Sequence, residues 1–248
     1  MTVAPRLRVV GPGRAGGSFA RALATVGWEV LAPLGRTDDL SGAADGVDLL
    51  LIATPDAVVA SVAAAVDPVP SAVVAHCAGS LGVDVIDHPR VAAVHPLAAL
   101  PDAEIGASRL HGAWFALAGD SLVQRVVADL EGRWFPVADD QRAQYHAAAV
   151  VASNHLVALL GQVERIVGPL GVPAEAFVDL VRATVDNVAE LGAASALTGP
   201  VARGDWDTVA RHLDALDPSE RPAYLAMAAA ARRLVDGAGL PQALAPGT

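Results

Sequence analysis

The stretch Leu7-Arg-Val-Val-Gly11-Pro-Gly13-Arg-Ala-Gly16-Gly17-Ser-Phe-Ala-Arg-Ala-Leu23 constrains the chain more than any other, because an apolar strand breaks on glycines and resumes at helical spacing. This is the pattern of the phosphate-binding turn in a dinucleotide fold. Gly11 permits the tight turn, Gly13 lets backbone approach a pyrophosphate, and Gly16 lets the helix pack closely on the strand. Arg14 and Ala15 lie inside the turn, where a helix N-terminus presents unpaired N–H groups to phosphate. A glycine-rich connection that binds nothing is the bland alternative. The position after an N-terminal strand and before a helix favours the nucleotide.

The second strand reads Trp28-Glu-Val-Leu-Ala-Pro-Leu34, and no acid stands at its end, where NAD-binding folds hold the ribose hydroxyls. Gly35-Arg36-Thr37 follows instead, with a guanidinium and a hydroxyl suited to a 2′-phosphate. NADP is therefore expected over NAD. The less favoured alternative is that Arg36 is an ordinary solvated loop arginine, and Asp38 or Asp39 could still serve a ribose.

With 248 residues, 53% of them hydrophobic, the chain can bury one large core or two modest ones. A net charge of −10 argues against a nucleic-acid partner. The lone cysteine, Cys77, excludes an intramolecular disulfide, and no Cys/His cluster has zinc spacing, so no metal is expected. The first strand begins by about Arg6, and every long apolar run is broken by Gly, Pro, His or Asn; a soluble, cytoplasmic protein without a membrane partner is expected. All 17 basic residues other than histidine are arginine, so chemistry that needs a lysine is excluded.

The apolar runs 47–52, 72–75, 91–94 and 113–117 read as further buried parallel strands, with helical composition over 55–66 and 122–131. From about Asp139 only helical patterns remain, over 139–168, 174–197, 205–215 and 219–236. The fold expected is α/β: an N-terminal Rossmann-type doubly wound parallel sheet (1–137) followed by an all-helical C-terminal domain (138–248) for substrate binding and dimerisation.

Polar residues punctuate the strand ends. Thr54-Pro55-Asp56 is expected to line the cofactor or to cap the next helix. In His76-Cys77-Ala-Gly79-Ser80, the Ser80 hydroxyl could bond a substrate oxygen or start the next helix, and Cys77 reads as a small buried apolar residue. His95, before Pro96, could carry a proton or fix its loop. In Tyr145-His146…Ser153-Asn154-His155, a rotation of about 100° per residue puts His146, Ser153 and Asn154 on one helical face, with His155 opposite. That stripe faces either substrate and cofactor or other helices. Arg203, in Leu197-Thr-Gly-Pro-Val-Ala-Arg203-Gly-Asp205, could bind a substrate carboxylate or phosphate across a dimer interface, or be a surface residue beside the N-cap Asp205.

Taken together, Gly-Pro-Gly-Arg-Ala-Gly, His-Cys-Ala-Gly-Ser, His-Pro-Leu, Tyr-His…Ser-Asn and Leu-Thr-Gly-Pro-Val-Ala-Arg-Gly-Asp resemble a bacterial family pairing a Rossmann-like domain with a helical domain of unknown function. The resemblance spans nearly the whole chain. It implies a place in the 6-phosphogluconate dehydrogenase-like superfamily, beside prephenate dehydrogenases, pyrroline-carboxylate reductases and ketopantoate reductases. β-Hydroxyacid dehydrogenases and ketopantoate reductases use a helix lysine near an asparagine, whereas this chain offers His146 and Asn154. His95-Pro96 is similar to the His-Pro of prephenate dehydrogenases, but Leu97-Ala-Ala-Leu100 does not continue that motif, which leaves the substrate open. The expected function is an NADP-dependent oxidoreductase acting on a small, anionic oxo, hydroxy or imino compound in an interdomain cleft, as a homodimer through its helical domain. His95 or His146 would handle the proton, Ser80, Ser153 and Asn154 would hold substrate, and Arg203 would face its charge. The alternative is a non-catalytic NADP(H) sensor or scaffold.

Overall fold

The computed structural model describes residues 3–241 and residue 244. The chain divides into two compact units, Met1–Asn154 and His155–Thr248. The first holds seven strands, β1 (Arg6–Val10), β2 (Glu29–Val30), β3 (Leu49–Ile52), β4 (Val73–His76), β5 (Val91–Pro96), β6 (Trp114–Gly119) and β7 (Arg133–Pro136). They form one sheet in the order β2-β1-β3-β4-β5-β6-β7. Its helices are α1 (Arg14–Thr25), α2 (Val59–Ala64), α3 (Ala103–Leu110), α4 (Leu122–Asp129) and α5 (Arg142–Val150). This is the doubly wound α/β fold expected; its last strand ends at Pro136, but the first compact unit runs on through α5 to Asn154, past the boundary expected near 137.

Both faces of the sheet are covered because both parities of each central strand are apolar. Leu7, Val9, Leu49 and Leu51 pack with Phe19, Leu23, Val126 and Leu130 of the α1 and α4 side, while Leu50, Ile52 and Val74 pack with Val59 and Ala63 of α2 on the other.

The expectation of a uniformly parallel sheet is corrected at β6, which pairs antiparallel with β5, and β7 then runs parallel to β6. The helix between β5 and β6, α3, packs on α1 instead of crossing the sheet: a Cβ on Gly17 would lie 2.8 Å from Ala103 Cβ, and one on Gly106 would collide with Ser18 Oγ. The chain therefore enters β6 where β5 ends, and Leu97 N–H donates to Trp114 O at 2.8 Å. A strand buried on both faces carries no direction in its sequence. The strand expected over Trp28–Leu34 is only two residues long, because Pro33 has no N–H to donate, although a bridge re-forms between Val10 and Leu34.

The second unit is helical: α6 (Leu156–Val167), α7 (Glu175–Leu191), α8 (Ala193–Ala196), α9 (Pro200–Arg203), α10 (Trp206–Ala215) and α11 (Arg221–Asp236). The helix expected over 174–197 breaks at Gly192, whose φ of 77° ends α7. Asp205 caps α10 as expected, accepting from Thr208 N–H at 3.1 Å. Glu220 ties α11 to α6, accepting from Arg165 and, through its carbonyl, from Gln162. The helical run Asp139–Leu170 is long and apolar enough to cross a membrane by length and composition.

Candidate functional site

The glycine turn has the geometry its spacing predicts. Gly11 sits at φ 91°, and a Cβ there would lie 2.9 Å from the Ala53 carbonyl oxygen. Gly16 is buried, and its Cβ would collide with the Gly11 carbonyl oxygen and reach within 2.7 Å of Val9 Cγ1. At Gly13 a Cβ meets nothing within 4 Å, so the backbone there borders open space.

That space is a cavity of about 470 Å³ lined by Gly11, Gly13, Arg36, Thr54, Pro55, Ser61 and neighbours. A second, of about 610 Å³, shares Ala53, Thr54 and Pro55 with it and adds Arg14, Ala15, Ser153 and Asn154. A third, of about 290 Å³, shares Ala98, Ala99, Ser153 and Asn154 with the second and ends on His95 and His146. The three adjoin in sequence along the carboxyl edge of the sheet, where open α/β folds bind ligands. Thr54 Oγ1 is buried on this path with no hydrogen-bond partner among the described residues. A dinucleotide fits these features: an open backbone at Gly13, a crowded one at Gly16, an orphan hydroxyl and an arginine at the far end.

His95 stands near the end of β5. Its Nδ1 lies 2.7 Å from the Tyr145 hydroxyl, and the His146 ring meets it edge-on at 5.8 Å between centroids. Tyr145 leans edge-on against Phe135 of β7, so the aromatic edge of the sheet locates α5. Gly79 makes the pair possible, since its Cβ would lie 2.5 Å from His146 Cδ2 and 2.8 Å from His95 Nε2. Burial, with the nearby His146 and Arg142 charges, brings His95 down to about 4, so it is neutral at physiological pH. Burial raises Tyr145 and keeps its hydroxyl protonated. Beneath them, His76 accepts Ala78 N–H at Nδ1 and therefore donates from Nε2 to the Gly82 carbonyl at 3.0 Å.

The stripe read on one face of the helix is brought together: His146, Ser153 and Asn154 all line the third cavity. The helix is not buried there, for Ser153 and Asn154 are exposed. Nor is it regular, because Val151–His155 forms a π-helical turn in which the chain passes from the first unit to the second. Such turns recur at functional sites.

Other expected residues lie apart. Ser80 Oγ donates to Asp56 Oδ2 at 2.6 Å and lies outside the three cavity linings. Asp56 makes no cap hydrogen bond to the following turn, which corrects the capping alternative for Thr54 and Asp56. Thr37 is exposed beside Arg36, while Asp38 and Asp39 accept from the N–H groups of Gly35 and Ser41 within the same loop. Cys77 is pushed up to about 12 by burial and packs against the core, as an inert thiol. Arg203 ends α9 in the second unit and is exposed, and His155 is exposed.

Three contributors were not anticipated: Tyr145 as the partner of His95, Gly79 as its seat, and Arg142. The Arg142 side chain is fully buried at the start of α5, and its Nε, Nη1 and Nη2 have no hydrogen-bond partner among the described residues. Its i+4 spacing to His146 was the available signal.

Residues 116–231 match DUF2520, a domain of unknown function. No curated protein matches the chain. The fold is similar to that of BF3122 from Bacteroides fragilis, a proposed NADP oxidoreductase, at 18% identity over 93% of this chain and 98% of that one, with a TM-score of 0.77. A reductive aminase from Aspergillus terreus, in complex with NADPH and ethyl-5-oxohexanoate, matches at 15% identity over 98% of each chain, TM-score 0.70. Plasmodium falciparum pyrroline carboxylate reductase with NADP bound matches at 13% identity over 94% and 98%, TM-score 0.61. At these identities the likeness fixes the fold, and it agrees with the Rossmann-plus-helical pairing that the motifs imply.

Proposed function

We propose that the protein is an NADP(H)-dependent oxidoreductase that moves a hydride to or from a small oxo, hydroxy or imino compound beside His95 and His146. The observation that carries this reading is the row of adjoining cavities running from the Gly11–Gly13 turn to the histidine pair. Gly11, Gly13, Arg14 and Ala15 would hold the pyrophosphate while Gly16 lets the helix close on the strand behind them, Thr54 and Pro55 would hold the adjoining ribose, and Arg36 with Thr37 the 2′-phosphate. NADP(H), when bound, supplies the hydride chemistry. The bound cofactors of the reductive aminase and the pyrroline carboxylate reductase support that choice by likeness of fold.

The residues divide the remaining tasks. His95 is neutral and held by Tyr145, so it orients and hydrogen-bonds, and His146 carries the proton to or from the substrate heteroatom. Ser153 and Asn154 orient that heteroatom from the π-helical turn. A cavity of about 290 Å³ suits a small molecule. We further infer a homodimer formed through the helical unit, supported by the exposed apolar side chains Val178, Leu180, Val185, Val188 and Leu191 of α7.

The test is NADPH oxidation measured over a panel of 2-oxo acids, ketones, aldehydes and cyclic imines. At least one class should be turned over, and His146→Gln should slow it by about 100-fold or more. NADPH that binds yet is never oxidised across the panel would leave the sensor or scaffold reading in its place.

A further inference from the structure

Arg142 is a charge without a counterpart. An arginine stays protonated in a protein and has five N–H donors, and burying it unpaired is among the most unfavourable things a fold can do. Yet this side chain is 0% exposed and uses none of those donors among the described residues. Asp139, three residues earlier, is the neighbouring acid whose charge favours the guanidinium, but its Oδ1 accepts Val83 N–H at 3.1 Å and bonds no atom of Arg142. Tyr145 and His146 follow Arg142 at i+3 and i+4, so all three share one face of α5; His146 lines the third cavity, and the Arg142 guanidinium, itself outside the three linings, is near enough for its charge to act on His95. Tyr145 and His95 are engaged with each other, and His76 with Ala78 and Gly82. None of these groups, Asp139 included, hydrogen-bonds the guanidinium among the described residues.

We propose that Arg142 is the anchor for an anionic group of the substrate, a carboxylate or a group of its size, bound beside the His95–His146 pair. The inference rests on the substrate site proposed above and adds the charge class of the ligand and the residue that selects it. The guanidinium fork matches a carboxylate through two parallel N–H···O bonds. Bound one helical turn before His146, the anion would put the substrate's neighbouring carbon within reach of that imidazole. The unpaired charge is then a binding energy held in reserve: the ligand-free protein carries the penalty and the anion relieves it.

Two measurements on the full chain test this. In the ligand-free protein, Arg142→Met, which keeps the bulk and removes the charge, should unfold at the same temperature as the wild type or higher. Then thermal unfolding is followed against formate, acetate, oxalate and inorganic phosphate, each at matched ionic strength, with and without NADP. At least one of these anions should raise the unfolding temperature of the wild type. Arg142→Met should bind it at least about ten-fold more weakly, Arg142→Lys should restore part of the response, and both variants should bind NADPH within about two-fold of wild type. The proposal is overturned if Arg142→Met lowers the unfolding temperature to the same extent as Asp139→Asn, which would make Asp139 the counter-ion. It is equally overturned if no anion protects the wild type, or if Arg142→Met responds as the wild type does. Absence of NADPH binding would instead overturn the proposed function, and the cofactor-free anion titration would still judge Arg142.

Discussion

Gly13 and Gly16 are three residues apart, yet a methyl group added at each meets different surroundings, and that difference separates binding from folding. Gly13→Ala should fold normally, because its Cβ faces open space, and should weaken NADPH by about ten-fold as the methyl intrudes on the pyrophosphate. Gly16→Ala should cost about 1–3 kcal/mol of stability, read from denaturant unfolding, because its Cβ meets Gly11 and Val9. Arg36→Ala should weaken NADPH more than NADH by about 1.5–3 kcal/mol in isothermal titration, and equal weakening would remove the 2′-phosphate assignment. His95 offers a pH signature. Its folded value of about 4 lies below the ordinary 6.5, so the unfolded chain binds the proton more readily between them. The native state is therefore at full strength above about 6.5 and weakens as pH falls toward 4, by on the order of 2–3 kcal/mol, and His95→Gln should flatten that slope. The residues legible in the sequence were those with a local reason, such as the glycines and the strand-end histidines. Tyr145 and Gly79 were not, because their significance lies in distances to His95 across about fifty and sixteen positions, which no spacing rule encodes.

Among the elements, the π-helical turn Val151–His155 departs from regular α-helical geometry beside the second and third cavities. Deleting Ala152 should return the turn to regular α-helix, preserve far-UV circular dichroism, and raise the NADPH dissociation constant by about ten-fold, because Ser153 and Asn154 would rotate away from the second cavity. Unchanged affinity would mean that the turn is incidental. Helical periodicity alone grouped His146, Ser153 and Asn154 on a face but could not show the extra residue in that turn. The short helix α3 was legible in principle, since Asp102 caps it by accepting from Glu104 and Ile105, but its eight residues lie in a stretch rich in Pro and Ala. The direction of β6 was not legible, because a run buried on both faces pairs equally well either way.

At the scale of the whole molecule, the alternation of apolar strands and helices over the first half identified a doubly wound sheet, and the loss of strand pattern after Asp139 identified a helical remainder. The exposed apolar side chains of α7 carry the prediction of self-association: sedimentation should find a dimer at micromolar concentration, and Val185→Glu with Val188→Glu should shift it to monomer without loss of helicity. A wild-type monomer would remove the homodimer from the account. The central claim is that the row of cavities in the first unit is a single NADP(H) groove ending at the histidine pair, and a crystal structure of the NADPH complex tests it most directly. The 2′-phosphate should lie at Arg36, the pyrophosphate over Gly11–Gly13 and the nicotinamide beside His146 and Asn154. A nicotinamide turned toward a closed apolar wall, away from both histidines, would contradict it.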